Sequence, residues 1–96
     1  MNYDRQILDI LCDVGKPGIS AFLLAKHVYN LNCTLFSQPD MAEVYTYVRR
    51  FIRRNSRTPG SLLEHSERWG CYRLNTRRSA EARQIAQNFR QRQAED

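Results

Sequence analysis

Twelve arginines follow residue 48, and five of them (Arg49, Arg50, Arg53, Arg54 and Arg57) stand one, three and four residues apart. Residues 49–96 set these twelve against Glu64, Glu67, Glu81, Glu95 and Asp96 and contain no lysine, a net +7. Residues 1–48 hold Arg5, Lys16 and Lys26 against Asp4, Asp9, Asp13, Asp40 and Glu43, a net −2. An asymmetry of this size points the basic half at an anionic partner. The planar guanidinium fork suits paired hydrogen bonds to phosphate better than an ammonium does. Composition alone leaves a merely solvated basic face open.

The other reactive residue types form no comparable pattern. Cys12, Cys33 and Cys71 are odd in number and far apart, which gives neither a disulfide framework nor the paired C-x-x-C of a zinc ribbon. Reduced thiols in the cytoplasm are the expectation. His27, Cys33, His65 and Cys71 supply ligand types for a mixed metal site, but no close pair nucleates one, so neither a metal nor another cofactor is expected. Both histidines read as surface or core residues. Nucleophile–base pairs, glycine-rich phosphate loops and carboxylate clusters are absent from the pattern, so an enzyme is not expected. No apolar run nears the roughly 20 residues of a membrane span. The opening MNYDRQILDI carries an acid and mixes polar with apolar residues, unlike a signal peptide.

The elements that would position the arginines follow from hydrophobic period. Ninety-six residues, 42% of them hydrophobic, make one domain with a modest core, divided into a body over 1–76 and a C-terminal helix with polar tail over 77–96. Ile7, Leu8, Ile10, Leu11 and Val14 place one stripe on a helix from Tyr3 to Val14, stopped by Gly15 and Pro17. Ser20 caps a second helix to Asn30 whose buried face is Leu24, Ala25 and Val28, and Leu31–Phe36 is a long loop. Ser37-Gln38-Pro39-Asp40 predicts a third start, capped by Ser37. Its stripe of Met41, Val44, Val48 and Ile52 runs to about Ser56, ahead of Thr58-Pro59-Gly60. The helix dipole accounts for one or two cations at that end, not five.

Two strands, Ser61–Ser66 and Trp69–Asn75, make a hairpin with its tip near Arg68. Gly70, Tyr72 and Leu74 are its inward set, and Trp69, Cys71 and Arg73 the outward one. Ser79 caps a last helix bearing a narrow stripe of Ala82, Ile85, Ala86 and Phe89. The expected core is Ile7, Leu11, Leu24, Val28, Val44, Val48, Ile52, Tyr72 and Leu74.

This order resembles the winged helix-turn-helix DNA-binding superfamily. Cys71-Tyr72-Arg73-Leu74 is similar to the Gly-Tyr-Arg-Leu ending of the last wing strand in response-regulator effector domains, and Ile19-Ser20 to the short first strand and cap. The likeness covers roughly residues 4–75 at the level of pattern. It implies a mainly α fold with a small β-hairpin: a three-helix core plus wing, here with an added C-terminal helix. It further implies a transcription regulator that lays its third helix in the major groove of duplex DNA. The nucleic-acid-binding set is then Gln38, Thr46, Tyr47, Arg49, Arg50, Arg53, Arg54, Arg57 and Arg68. Gln38, Thr46, Tyr47 and Arg50, with Glu43 among them, face base edges; Arg53, Arg54 and Arg57 lie beside the backbone; Arg68 is at the wing tip. Asp40 belongs to the helix cap, while Glu43 opposes phosphate. Tyr47 equally covers a core edge, and Trp69 equally packs under the wing.

Winged helices also serve as protein-interaction modules, which is the alternative, with Ala82–Phe89 as the working surface. Convergence of the arginines on one open face separates the two. The Ala82, Ile85, Ala86 and Phe89 stripe either forms a homodimer, pairing two recognition helices on a palindromic site, or folds back onto the first helix.

Overall fold

The computed structural model describes residues 2–95. Its elements are α1 (Asp4–Val14), β1 (Ile19–Ser20), α2 (Ala21–Leu31), α3 (Met41–Arg54), β2 (Leu63–His65), β3 (Cys71–Leu74) and α4 (Ala80–Glu95). The molecule is mainly helical with a small antiparallel sheet of order β1-β3-β2.

The α1 stripe buries Ile7 and Leu11 one turn apart, and Gly15 ends the helix at φ 71° with its N–H on the Leu11 carbonyl. That backbone conformation costs a glycine little, which is why the chain turns here. The Ser20 hydroxyl accepts from Leu23 N at 3.2 Å and so opens α2, which buries Leu24, Ala25 and Val28. These residues meet Val44, Val48, Phe51 and Ile52 of α3 in the core, together with Ile19, Leu62, Leu63 and Leu74. Each fully buried Ile, Leu or Val contributes about 1.5–3 kcal/mol relative to exposure. Of the nine expected core residues, eight are buried; Tyr72 is half-buried at the core edge.

The third helix starts later than the Ser37 cap predicts. Asp40 is the cap, accepting from Ala42 N at 2.9 Å, and Ser37 instead closes a tight turn by taking the Thr34 N–H at 2.8 Å. Proline keeps the residue before it out of helical conformation, so Pro39 holds Gln38 outside the helix. Gln38 therefore lies in the loop, not on the face of α3.

The hairpin is shorter than expected, and β1 completes a sheet with it. Ile19 pairs with Tyr72, Ser20 with Cys71, Leu63 with Leu74 and His65 with Tyr72. Tyr72 and Leu74 face the core as expected, but Cys71 on the opposite face is buried too. That face is closed by Arg73, whose guanidinium is held flat by Glu64 and Glu67, both at 2.9 Å, and by the Lys16 carbonyl at 3.2 Å. Gly18 makes the crossing possible: at φ 77°, a Cβ there would stand 2.7 Å from the Tyr72 carbonyl oxygen.

The first half of the stripe on α4, Ala82 and Ile85, packs within the chain. Ser79 caps the helix, its hydroxyl accepting from Ala82 N at 3.1 Å. Ala82 is 0% exposed in the common core, Ile85 packs beside it, and Arg92 bridges Asp9 of α1 at 2.9 Å. The helix folds back onto α1, as one of the two alternatives expects, with Ala82 and Ile85 covered and Ala86 and Phe89 half-buried outside the core. It also joins residues 77–95 to the same core as the body. The alanines let the helix approach closely, and Ala82 needs no partner beyond its own domain.

Candidate nucleic-acid interface

The last two turns of α3 set the geometry. Val44, Val48, Phe51 and Ile52 turn inward, which leaves Ala42, Glu43, Thr46, Arg49, Arg50, Arg53 and Arg54 exposed on the opposite side. At 100° per residue the four arginines cover a broad arc of that side and cannot be split between opposite faces. Arg57 follows in the turn after the helix and is exposed as well.

Two shallow grooves flank this ridge. One is bordered by Arg49, Arg53, Arg57 and Tyr72, where α3 meets β3. The other is bordered by Glu43, Thr46, Tyr47, Arg50 and Arg54. Tyr72 also borders a depression on the hairpin that holds His65, Arg68 and Trp69, so the first groove continues onto the hairpin surface. The Arg49 guanidinium stands 5.2 Å from the Tyr45 ring centroid, an arrangement that steadies the side chain without neutralising it.

The ion pairs divide the arginines into two groups. Among the described residues Arg73 pairs with Glu64 and Glu67, Arg77 with Glu64 at 3.6 Å, and Arg92 with Asp9. Arg49, Arg50, Arg53, Arg54, Arg57 and Arg68 make no ion pair among those residues. Paired arginines knit the fold together. Arg5, Arg78, Arg83 and Arg90 are likewise without an ion pair among the described residues but lie on α1 and around α4; the six on α3, in its following turn and on the hairpin are the unpaired arginines that cluster. Glu67, also on the hairpin, is compensated: its own backbone N–H and Arg73 hold its carboxyl below the usual range.

Not every expected residue belongs to this surface. Tyr47 borders the second groove while its hydroxyl donates to the Asp4 carboxylate and its ring meets Tyr3 edge-on at 5.1 Å. It ties α3 to the start of α1, and desolvation together with the Asp4 hydrogen bond raises its pKa. Gln38 stands apart in the loop, while Thr46 is exposed on α3. Glu43 occupies the first turn of α3, so the end of the helix that would meet base edges carries an acid and the other end carries the cations.

The metal-ligand types do not assemble: no group of three His, Cys, Asp or Glu among the described residues has the geometry to hold an ion. Burial raises the Cys12 thiol, and Asp9 adds to the effect, so it stays protonated near neutrality. No helix in the described residues is long and apolar enough to cross a membrane.

Sequence reasoning passed over two contributors. Tyr72 was assigned to the core, yet its exposed edge links groove to hairpin, with its ring 4.6 Å from that of His65. The strand register carries the signal, since residues facing one another across a ladder share a face. Asn75 gave no signal at all, although it is fully buried and holds the hairpin to the rest of the fold. No protein-family model, curated protein or solved structure matches the chain.

Proposed function

We propose that this chain is a winged-helix domain that binds duplex DNA, in the manner of a transcription regulator, with α3 against the major groove and the β2–β3 hairpin as its wing. The order of elements and the β1-β3-β2 sheet support the fold assignment. The observation that supports the function is the concentration of six arginines without acidic partners on the α3–hairpin side, while Arg73, Arg77 and Arg92 are paired. Unpaired guanidinium groups on a convex helix at groove-spanning scale are suited to phosphate.

Placement of the charges favours one style of binding. Base edges are read mainly by the N-terminal part of a recognition helix, where this chain offers Ala42, Glu43 and Thr46. Phosphate contacts from Arg49, Arg50, Arg53, Arg54 and Arg57 dominate instead, so affinity is high relative to sequence discrimination.

A second reading has its own observation. Leu31, Leu35 and Phe36, at the end of α2 and in the following loop, are 61%, 90% and 93% exposed, an apolar group suited to a protein partner. Charge reversal separates the two. Arg53→Glu with Arg54→Glu abolishes the mobility shift of a mixed-sequence duplex while leaving the melting temperature nearly unchanged, because both side chains are exposed. A shift that survives the double reversal, or no shift by the unaltered protein, overturns the DNA reading and leaves the loop surface in its place.

A further inference from the structure

We infer that the hairpin tip is a stacking surface for an unpaired nucleotide, with Trp69 as its platform; the inference rests on the nucleic-acid reading above and adds a substrate feature to it. Trp69 is 99% exposed, in the turn between β2 and β3. A tryptophan packed under the hairpin would be covered by it, and this one touches water on nearly every side. Burying an indole is strongly favourable, so a ring held wholly in solvent is available to a flat partner.

Its surroundings specify that partner. Trp69, His65 and Tyr72 border one depression, and the His65 and Tyr72 rings lie 4.6 Å apart at 37°. Arg68 adjoins Trp69, and Tyr72 continues the surface to Arg49, Arg53 and Arg57. Aromatic faces interleaved with a cationic track are the combination that holds single-stranded nucleic acid: bases stack, and the backbone follows the charge. The one acid in the depression, Glu67, is already engaged by Arg73. In a closed duplex the base faces are occupied by their neighbours. An overhang or a frayed end presents the free face that Trp69 can take, while α3 holds the adjoining duplex.

Trp69 is the only tryptophan in the chain, so its fluorescence reports on this contact alone. The experiment titrates the protein with a blunt duplex and with the same duplex bearing an oligo-dT extension. The expected result is strong quenching and tighter binding with the extended duplex, and little quenching with the blunt one. Trp69→Ala lowers affinity for the extended duplex by about 5- to 150-fold, the range for losing one stacked base, and lowers blunt-duplex affinity by much less, so the preference disappears. Trp69→Phe keeps most of the preference. Unquenched fluorescence at saturation, equal quenching by both duplexes, or a Trp69→Ala protein that retains the preference overturns the stacking assignment and leaves duplex binding standing. Failure of the unaltered protein to bind either DNA overturns the nucleic-acid reading, and the stacking assignment with it.

Discussion

Asn75 offers the sharpest test of how the arginine surface is held in place. It is 0% exposed, and its side-chain amide donates to the Pro59 carbonyl at 2.8 Å and the Ser61 carbonyl at 2.9 Å. Its Oδ1 accepts from Arg78 N at 3.3 Å, and its backbone bonds Leu62 at 2.9 Å and Ser79 at 3.0 Å. One residue thus joins the segment leaving α3, the end of β3 and the approach to α4. Asn75→Ala removes the two amide hydrogen bonds, at about 0.5–1.5 kcal/mol each, and strands partners that water reaches only in part, adding about 1 kcal/mol or more. The expected loss is about 2–4 kcal/mol, which for a domain of this size lowers Tm by roughly 10–25 °C. Asn75→Asp does at least as much harm, since an ionised carboxylate cannot donate to two carbonyls. Thermal melts followed by circular dichroism measure both. If both variants melt within about 2 °C of the unaltered protein, the hydrogen-bonding account of this junction is wrong.

Three further outcomes follow from the packing. Gly18→Ala forces a Cβ toward the Tyr72 carbonyl at a positive φ, and denaturant unfolding should show a loss of more than ~1 kcal/mol, where an unstrained glycine-to-alanine change would stabilise instead. Leu11→Ala, at a position 1% exposed in the core, should cost about 2–5 kcal/mol by the same measurement, and a loss under about 1 kcal/mol would contradict the burial. The Tyr47 hydroxyl has a raised pKa in the folded chain through desolvation and Asp4, so its contribution to stability is complete below the ordinary tyrosine value near 10. That contribution is lost as pH climbs from there through the folded value, so Tyr47→Phe should flatten the alkaline decline in stability; an unchanged decline would refute it.

Much of the fold was legible because period and punctuation agreed. The α1 stripe ending at Gly15, the Ser20 and Ser79 caps and the Leu24–Ala25–Val28 face are all local signals, and all are present in the structure. The start of α3 was misplaced because two capping residues competed within four positions, and Pro39 between them left the helix to Asp40. Long-range relations were the illegible part. Nothing near Ala82 in sequence decides between fold-back and a second chain, and nothing near Tyr47 announces Asp4 as its partner. The site divides along the same line: exposed arginines on α3 follow from helical period, whereas Arg73 and Arg92, of the same residue type, turned out to be structural because their acids come from other elements. Trp69 needed the structure, since period allowed it either above or beneath the hairpin.

The central claim, that phosphate contacts from the α3 arginines drive binding to DNA, is tested most directly by the salt dependence of affinity. Each neutralised phosphate releases counterions, so four to five contacts among Arg49, Arg50, Arg53, Arg54 and Arg57 predict a slope of log affinity against log salt on the order of −4. Fluorescence anisotropy of a labelled duplex across a salt series gives that slope, and Arg53→Glu with Arg54→Glu should remove binding throughout the series. A slope near zero in a protein that still binds, or affinity indifferent to the double reversal, would contradict the claim.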